Sequence, residues 1–343
     1  MKKACLFVVL VFLLVYTADA QRLKAVSYMN TIEREFKMIQ ENMWYYTSAA
    51  SHKGAAGKLG AKRNELIKQI ELSIQAISAM KPFENSTRFR DSAVAFLRLN
   101  YQVLQDDFAA IMELQNTTEK TFEQVEAYIQ LQEAIDKKLA EAGRMMDKEQ
   151  VIFGTAYGLS FTETKDRVTI NQQIADSVYD YYNPIYLIFY KSYLDELNFV
   201  TSQTKQDTPN LDKYGSVLLQ NAKTGLAQLA TFHSFKGDSS LKTACLQMLK
   251  FYEAEVEQNY QELKEYYLQK QQFAAAKAKI DALPAEQRTS ADVVAYNQAV
   301  ANYNEATNKH NVADQYLNQT RNRLIANWNI TAQAFKDRHV PKR

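Results

Sequence analysis

Apolar residues recur every three or four positions along almost the whole chain, the spacing that places them on one face of an α-helix. Alternating apolar and polar residues bounded by turns, the pattern of half-buried strands, do not occur. Glycine and proline interrupt the pattern rarely, with nine and five occurrences in 343 residues. The pattern therefore predicts an all-α protein whose helices bury apolar stripes against one another.

The few interruptions predict two tandem antiparallel helical bundles. Gly154 and Gly158 end the first set of helices, so we expect an N-terminal bundle over residues 21–160 and a C-terminal bundle over 161–343. Pro284 lies in a segment without a counterpart in the first bundle, and 281–290 is predicted to be an inserted linker. Pro184 falls inside a predicted helix, where proline costs ~3 kcal/mol, so this helix is expected to kink or restart.

The apolar pattern of the first bundle is repeated in the second. A shift of 152 residues takes Ile67, Ile74, Ile77 and Met80 to Leu219, Leu226, Leu229 and Phe232 without a gap. A shift of 153 aligns Tyr28, Asn30, Ile32 and Phe36 with Tyr181, Asn183, Ile185 and Phe189. Any two amphipathic helices can match by periodicity, but the turn is shared as well, since Ser86 and Asp238 correspond and both can cap a helix. We therefore predict an internal duplication.

The predicted last helix, 291–338, carries a heptad seam formed by Tyr296, Tyr303, His310, Leu317 and Leu324. Ala299, Ala306 and Ala313 each follow one of the first three seam residues by three positions, and such small residues suit close antiparallel packing. We expect this coiled-coil seam to pack within a monomer rather than to form a dimer.

The N-terminus has the features of a signal peptide. Lys2 and Lys3 precede an apolar run over 6–16, and the small residues Ala18 and Ala20 predict cleavage before Gln21. We expect an exported protein that is periplasmic, secreted or on the cell surface, with no transmembrane segment in the mature chain. Without residues 1–20, the 41 basic and 39 acidic residues become 39 and 38, which gives no reason to expect nucleic acid as a partner.

Residues that could carry chemistry are few and scattered. The four histidines, residues 52, 233, 310 and 339, form no metal-ligand motif, and Cys245 is the only cysteine of the predicted mature chain. Carboxylates such as Glu253 and Glu255 are expected on solvated helix faces. The sequence therefore predicts no catalytic residues, no metal, no cofactor and no enzymatic activity, with Cys245 as a buried free thiol.

Tyrosine and tryptophan are abundant, and some of them cannot all face one core. The candidate binding face consists of Trp44, Tyr45, Tyr182, Tyr186, Tyr190 and Tyr193. Ordinary interior packing, with each hydroxyl reaching water or a partner, is the competing interpretation of these residues.

Two stretches resemble a known family. Residues 181–193 read YYNPIYLIFYKSY, and residues 296–329 read YNQAVANYNEATNKHNVADQYLNQTRNRLIANWN, followed by Phe335 and His339 to Lys342. This is similar to an uncharacterised family of all-helical bacterial surface proteins first named from a leptospiral locus. The resemblance implies an α-helical fold and an envelope location, and no activity, cofactor or site residues.

These observations favour an exported, non-enzymatic envelope or surface protein that acts as a structural or interaction module through its helix faces. The expected partner is an envelope protein or a glycan. The alternative is a periplasmic ligand-binding protein with a tyrosine-lined groove between the bundles. A hydrolase whose carboxylates converge only in the folded chain is a third hypothesis.

Overall fold

The computed structural model describes residues 20–52, 56–107, 121–161 and 166–342. Within these ranges the chain is helical and contains no strand, which confirms the all-α prediction. The helices are α1 Ala20–Ser51, α2 Ala56–Ser78, α3 Arg88–Gln102, α4 Phe122–Ala156, α5 Arg167–Lys205, α6 Thr208–Ala230, α7 Ser240–Ala254, α8 Tyr260–Asp281 and α9 Ser290–His339. The predicted signal peptide, 1–20, lies outside the described residues except for Ala20, where α1 begins.

Local sequence explains several helix ends. Thr121 and Gln124 form a capping box at the start of α4, in which each side chain accepts a hydrogen bond from the other's backbone N–H. Asp207 caps α6 by accepting a hydrogen bond from the backbone N–H of Asn210. Gly158 adopts a φ of 69° just after α4, a left-handed conformation that favours glycine.

The first compact unit contains residues up to Pro184 and from Gln333 onward. Its core is formed by one apolar stripe from each of α1 to α4, and burial of each large side chain stabilises the fold by ~1.5–3 kcal/mol. The stripes include Met29, Ile32, Phe36 and Ile39 of α1, Leu66, Ile70 and Ile77 of α2, Phe89, Phe96 and Leu97 of α3, and Ile135, Leu139 and Met146 of α4.

The second compact unit runs from Ile185 to Ala332. Its buried side chains come from α5 to α9 and include Ile185, Phe189, Phe199, Leu211, Leu218, Leu229, Leu241, Met248, Leu249, Leu263, Leu317 and Trp328. Cys245 is fully buried, as predicted, and burial raises the pKa of its thiol.

The unit boundary does not coincide with the predicted division at residues 160 and 161. It falls between Pro184 and Ile185, inside the continuous helix α5, so of the kink or restart predicted at Pro184 the restart is not observed. The last helix is also shared, since α9 passes from the second unit into the first at Gln333. Sequence signals mark where helices end, and they do not show which helices pack together.

Corresponding elements in the two units have corresponding bounds. Helices α2 and α6 begin 152 residues apart, as do α3 and α7. A tight turn with an isolated backbone bridge joins α2 to α3, where Phe83 pairs with Ser86, and another joins α6 to α7, where Phe235 pairs with Asp238. Ser86 and Asp238 each lie one residue before the N-cap of the following helix, and each accepts a hydrogen bond from the backbone N–H two residues on, at 3.4 Å and 2.8 Å. The bounds agree with an internal duplication, which stays a prediction that superposition of the two units tests.

A π-helical turn follows α3 and another follows α7. The first is Val103–Asp107 and the second is Glu255–Asn259, again 152 residues apart. Such turns insert one residue into a helix, which shifts the side chains after it to a new face, and they occur often at functional sites. The second turn leads directly into α8 and to the candidate functional site.

Candidate functional site

A polar cleft of about 320 Å³ lies within the second unit. The end of α5, the start of α8 and the middle of α9 provide its walls. Its lining residues are Val200, Gln203, Thr204, Gln206, Tyr266, Tyr267, His310, Asp314, Asn318 and Arg321. Tyr267 is held in place by donating its hydroxyl to the backbone oxygen of Gln203 at 2.8 Å, and His310 stacks on Tyr266 with ring centroids 4.4 Å apart.

A buried ionic cluster lies beside this cleft. Glu196 of α5 and Glu255 of the π-helical turn are 0% and 1% exposed, and Arg321 of α9 reaches both. Arg321 Nη2 donates to Glu255 Oε1 at 2.5 Å, and its Nε donates to Glu196 Oε1. Its Nη1 donates to Asn318 Oδ1. One guanidinium is thereby shared between two carboxylates and one amide, so its hydrogen-bonding capacity is largely used.

Both carboxylates keep an oxygen without a partner. Glu196 Oε2, Glu255 Oε2 and the hydroxyl of Tyr252 are inaccessible to solvent and make no hydrogen bond within the described chain. A buried polar atom left unsatisfied costs ~1–3 kcal/mol, more when charged.

Burial controls the protonation of the cluster. It raises the pKa of Glu255 to about 7, although Arg321 acts to lower this pKa. Burial also raises the pKa of Glu196, against the same opposing effect of Arg321. At pH 6 we expect the cluster to hold a proton and to be neutral, because one glutamate balances the guanidinium and the other is protonated.

The positions of the first unit that the predicted duplication aligns with Glu255 and Glu196 carry no charge. Val103 corresponds to Glu255 at a shift of 152, and Met43 corresponds to Glu196 at a shift of 153. Val103 is 1% exposed, and Met43 packs against the core of the first unit. The predicted duplication thus aligns both glutamates with apolar positions, and apolar side chains at such positions are often at least as stable as a buried ion pair.

A small cavity of about 20 Å³ adjoins the cleft, and the two share Gln203, His310 and Asp314 as lining residues. Glu255 lines the cavity, together with Tyr260 and other residues of α8 and α9. Its volume is about that needed by one water molecule or one group of similar size.

One residue of the predicted binding face is buried. Trp44 is 3% exposed and belongs to the core, so its assignment to a binding face is wrong; its indole lies on the inner side of α1. Tyr45 and Tyr182 are half-buried in the first unit, and Lys336 Nζ lies 5.2 Å from the ring centroid of Tyr182. The sequence pattern could not separate the buried from the half-buried aromatic residues, because aromatic residues occur on several sides of α1 and of α5.

The other three predicted residues lie on α5 in the second unit. Tyr186 and Tyr190 stack with ring centroids 5.6 Å apart, and Tyr193 stacks on Phe189 at 5.7 Å. All three are half-buried, as expected for aromatic residues at the edge of a core. None of them lines the cleft described above, and a tyrosine-lined groove between the bundles stays a prediction.

Residues of the α9 heptad seam pack against other helices of the chain, and the choice between monomer and dimer stays a prediction. Tyr303 stacks on Phe273 of α8 with ring centroids 5.0 Å apart, and Leu317 and Leu324 are each 7% exposed. His310 belongs to this seam and also lines the cleft. Within the described ranges, no group of three histidine, cysteine or acidic side chains is arranged to hold a metal ion.

No helix among the described residues is both long and apolar enough to cross a membrane. The proposed family resemblance stays a prediction. Comparison of the chain with protein-family models, curated proteins and solved structures finds no match.

Proposed function

We propose that the protein is an exported, non-enzymatic bacterial envelope or surface protein that binds a partner through its helix faces. The N-terminal pattern of Lys2, Lys3 and the apolar run supports export. The observation that carries the interaction role is the end of the α8–α9 hairpin, residues 271–303, which we call the hairpin tip.

The hairpin tip is held together by very few contacts. Phe273 stacks on Tyr303 at 5.0 Å and lies 6.2 Å from Tyr296, and Lys279 forms an ion pair with Asp292 at 2.9 Å. Ile280 is the only buried side chain among residues 271–303. Two helices paired in this way leave most of their surface exposed, and helices in water are only marginally stable without tertiary packing. A third helix or another partner surface would complete the packing.

The outer face of α9 has the composition of a contact surface. Val294, Val312 and Tyr316 are 67%, 71% and 64% exposed. Only six of the 40 residues from Ala291 to Ile330 are charged, whereas a solvated helix face is usually rich in charge. Exposed apolar residues on a face with little charge favour binding of a partner along the helix.

The interaction is tested with a photo-crosslinking amino acid placed at Val294 or Val312 in living cells. We expect adducts with an envelope partner at both positions. The control is Lys138, an exposed residue of the first unit, where no adduct is expected. Equal labelling at all three positions, or none, contradicts the proposal, and an adduct of twice the chain mass contradicts the predicted monomer.

Because the proposed partner contacts the apolar outer face of α9, negative charges introduced on this face should prevent binding. Val294→Asp combined with Val312→Asp is expected to abolish the adduct formed from a probe at Tyr316, because it places charges in the contact. Circular dichroism should be unchanged, since both valines are exposed.

Export is tested by N-terminal sequencing of the extracytoplasmic form, which is expected to begin at Gln21, and a retained leader contradicts the predicted cleavage.

A further inference from the structure

The buried cluster lies at the base of the α8–α9 hairpin. Glu255 belongs to the π-helical turn that joins α7 to α8, and Arg321 belongs to the part of α9 that reaches this turn. Sharp bends in helices often occur at such turns. The direction in which α8 leaves α7 is therefore decided where Glu255 is buried. Glu196 of α5 completes the cluster and connects it to the body of the second unit.

Arg321 provides the polar attachment of this part of α9. Between residues 304 and 326, all of which the structure describes, no other side chain of α9 forms a hydrogen bond or an ion pair with another helix. The other attachments are apolar or aromatic: Leu317 and Leu324 are buried, and His310 stacks on Tyr266. The hydrogen bonds that hold the middle of α9 against α5 and the π-helical turn therefore come from one guanidinium.

This guanidinium serves two carboxylates. Glu196 Oε2 and Glu255 Oε2 are both inaccessible to solvent and accept no hydrogen bond from the described chain. If both side chains are ionised, Arg321 balances one charge and the other stays buried without compensation, which is strongly destabilising. If one proton is bound, the cluster is neutral, and burial favours the neutral state. The packing at the base of the hairpin therefore depends on a single proton.

Charged and titratable groups face Glu255 from each element packed around the π-helical turn. Burial raises the pKa of Glu255, Arg321 lowers it, and Glu196 and Asp314 raise it further. Arg321 makes the only hydrogen bond of the Glu255 side chain within the described part of the chain. The groups are Glu196 of α5, Lys223 of α6 (paired with Glu257 of the turn), Tyr252 of α7, Glu262 of α8, and His310, Asp314 and Arg321 of α9. These surroundings favour a protonated Glu255.

Open space adjoins the cluster. Arg321 lines the polar cleft of about 320 Å³, and Glu255 lines the small cavity of about 20 Å³. The two spaces share Gln203, His310 and Asp314 as lining residues. An ionised Glu255 carboxylate that turned toward this space and was hydrated there would no longer carry the cost of a buried charge.

We propose that Glu196, Arg321 and Glu255 form a proton-dependent clamp at the base of the α8–α9 hairpin. With one proton bound, the clamp holds the middle of α9 against α5 and the π-helical turn. When the proton leaves, Glu255 turns toward the adjoining space, and the start of α8 and the middle of α9 loosen. The clamp is a property of the isolated chain. Only its consequence rests on the function proposed above: a partner at the hairpin tip would meet a hairpin that is held more firmly in mild acid than at neutral pH.

Amide hydrogen exchange of the full mature chain, corrected for the intrinsic exchange rate at each pH, measures the opening of this clamp. In residues 256–270 and 310–326, opening is expected to increase by up to about 50-fold from pH 5 to pH 8, because Glu255 has a pKa of about 7 in the clamp and an ordinary value of 4.5. The bound proton stabilises the clamp fully below pH ~4.5, and this stabilisation is lost as the pH rises to about 7. Most of the change should therefore fall between pH 5 and pH 7.

Glu255→Gln removes the titrating charge and retains the shape, so opening should become independent of pH. Glu257→Gln is the matched control: it makes the same change in the same turn, but Glu257 is exposed and pairs with Lys223 at 2.5 Å, so the pH dependence should remain. Glu196→Gln leaves one carboxylate for one guanidinium and should also remove the pH dependence, which keeps the test decisive if Glu255→Gln does not fold.

Three results overturn the clamp. One is opening that does not change with pH in the unmodified chain. Another is the same pH dependence in Glu255→Gln and Glu257→Gln, which would assign the effect to other groups. The third is exchange in these segments that a low concentration of urea accelerates as strongly as global unfolding, since a local opening exposes little surface and responds weakly to urea.

None of these measurements involves a partner, so the clamp and the proposed function fail separately. Adducts at Val294 and Val312 without pH-dependent opening would overturn the clamp alone. Opening that depends on pH and on Glu255, without adducts, would support the clamp and contradict only the proposed interaction.

Discussion

The protonation of Glu255 gives a quantitative prediction for the pH dependence of stability. Its carboxyl has a pKa of about 7 in the folded protein and an ordinary value of 4.5, so the folded state binds the proton more tightly. The stabilisation from this proton is complete below pH ~4.5 and is lost as the pH rises through about 7. A difference of about 2.5 pH units corresponds to about 3 kcal/mol, at ~1.4 kcal/mol per unit.

Glu255→Gln isolates this contribution because the amide has the same shape and does not ionise. Arg321 keeps Glu196 and Asn318 as acceptors in this variant. We expect the two proteins to be similarly stable near pH 5. The variant should become relatively more stable by about 3 kcal/mol by pH 8, since only the unmodified protein must bury a second negative charge there.

Urea unfolding at half-unit steps from pH 4.5 to 8.5 measures this difference. The two tryptophans lie in different units, so in a Trp44→Phe background the fluorescence of Trp328 reports on the second unit. Glu33, a half-buried carboxyl of the first unit whose pKa is raised to about 7, contributes equally to both proteins and cancels. A stability difference that stays constant within about 0.5 kcal/mol over this range would refute the assigned protonation.

Three further predictions concern the second unit. Arg321→Met leaves both carboxylates buried without their cation and should cost ~3–5 kcal/mol at pH 7 by urea unfolding, and less at pH 5; a loss below 1 kcal/mol contradicts the described cluster. Trp328→Ala removes a buried indole that stacks on Phe189 with ring centroids 4.1 Å apart, so we expect a loss of ~3–5 kcal/mol, and a near-neutral result would mean that this stack is absent. Cys245 should react with a thiol reagent only at the rate of unfolding, because burial raises the pKa of its thiol; rapid labelling of the native protein would contradict its burial.

The local pattern of the sequence was enough to predict the fold class and many helix ends. The last helix was predicted over 291–338 and is observed as Ser290–His339. Tyr303 of its heptad seam stacks on Phe273 of α8, and Leu317 and Leu324 of the seam are buried. These predictions succeed because helix periodicity, caps and turns depend on residues within a few positions of each other.

The cluster of Glu196, Glu255 and Arg321 was missed because its members are far apart in the sequence. Each one resembles the charged residues that occupy solvated helix faces, and Glu255 was expected to be one of them. It is instead 1% exposed. One signal was present: the shift of 152 residues that aligns the two bundles places Glu255 at the position of Val103, among apolar core residues. The sequence alone therefore showed a charged residue at a position that aligns with an apolar one.

The sequence by itself determined that the chain forms helices, where most of them end, and which residues share a helix face. Only the tertiary structure decided that α5 and α9 each contribute to both units, and that side chains from α5, the π-helical turn and α9 meet in one buried cluster. The physical reason is the separation along the chain between the residues that decide each feature. Helix formation is decided by neighbouring residues, whereas the burial of a charge depends on which distant helix packs over it.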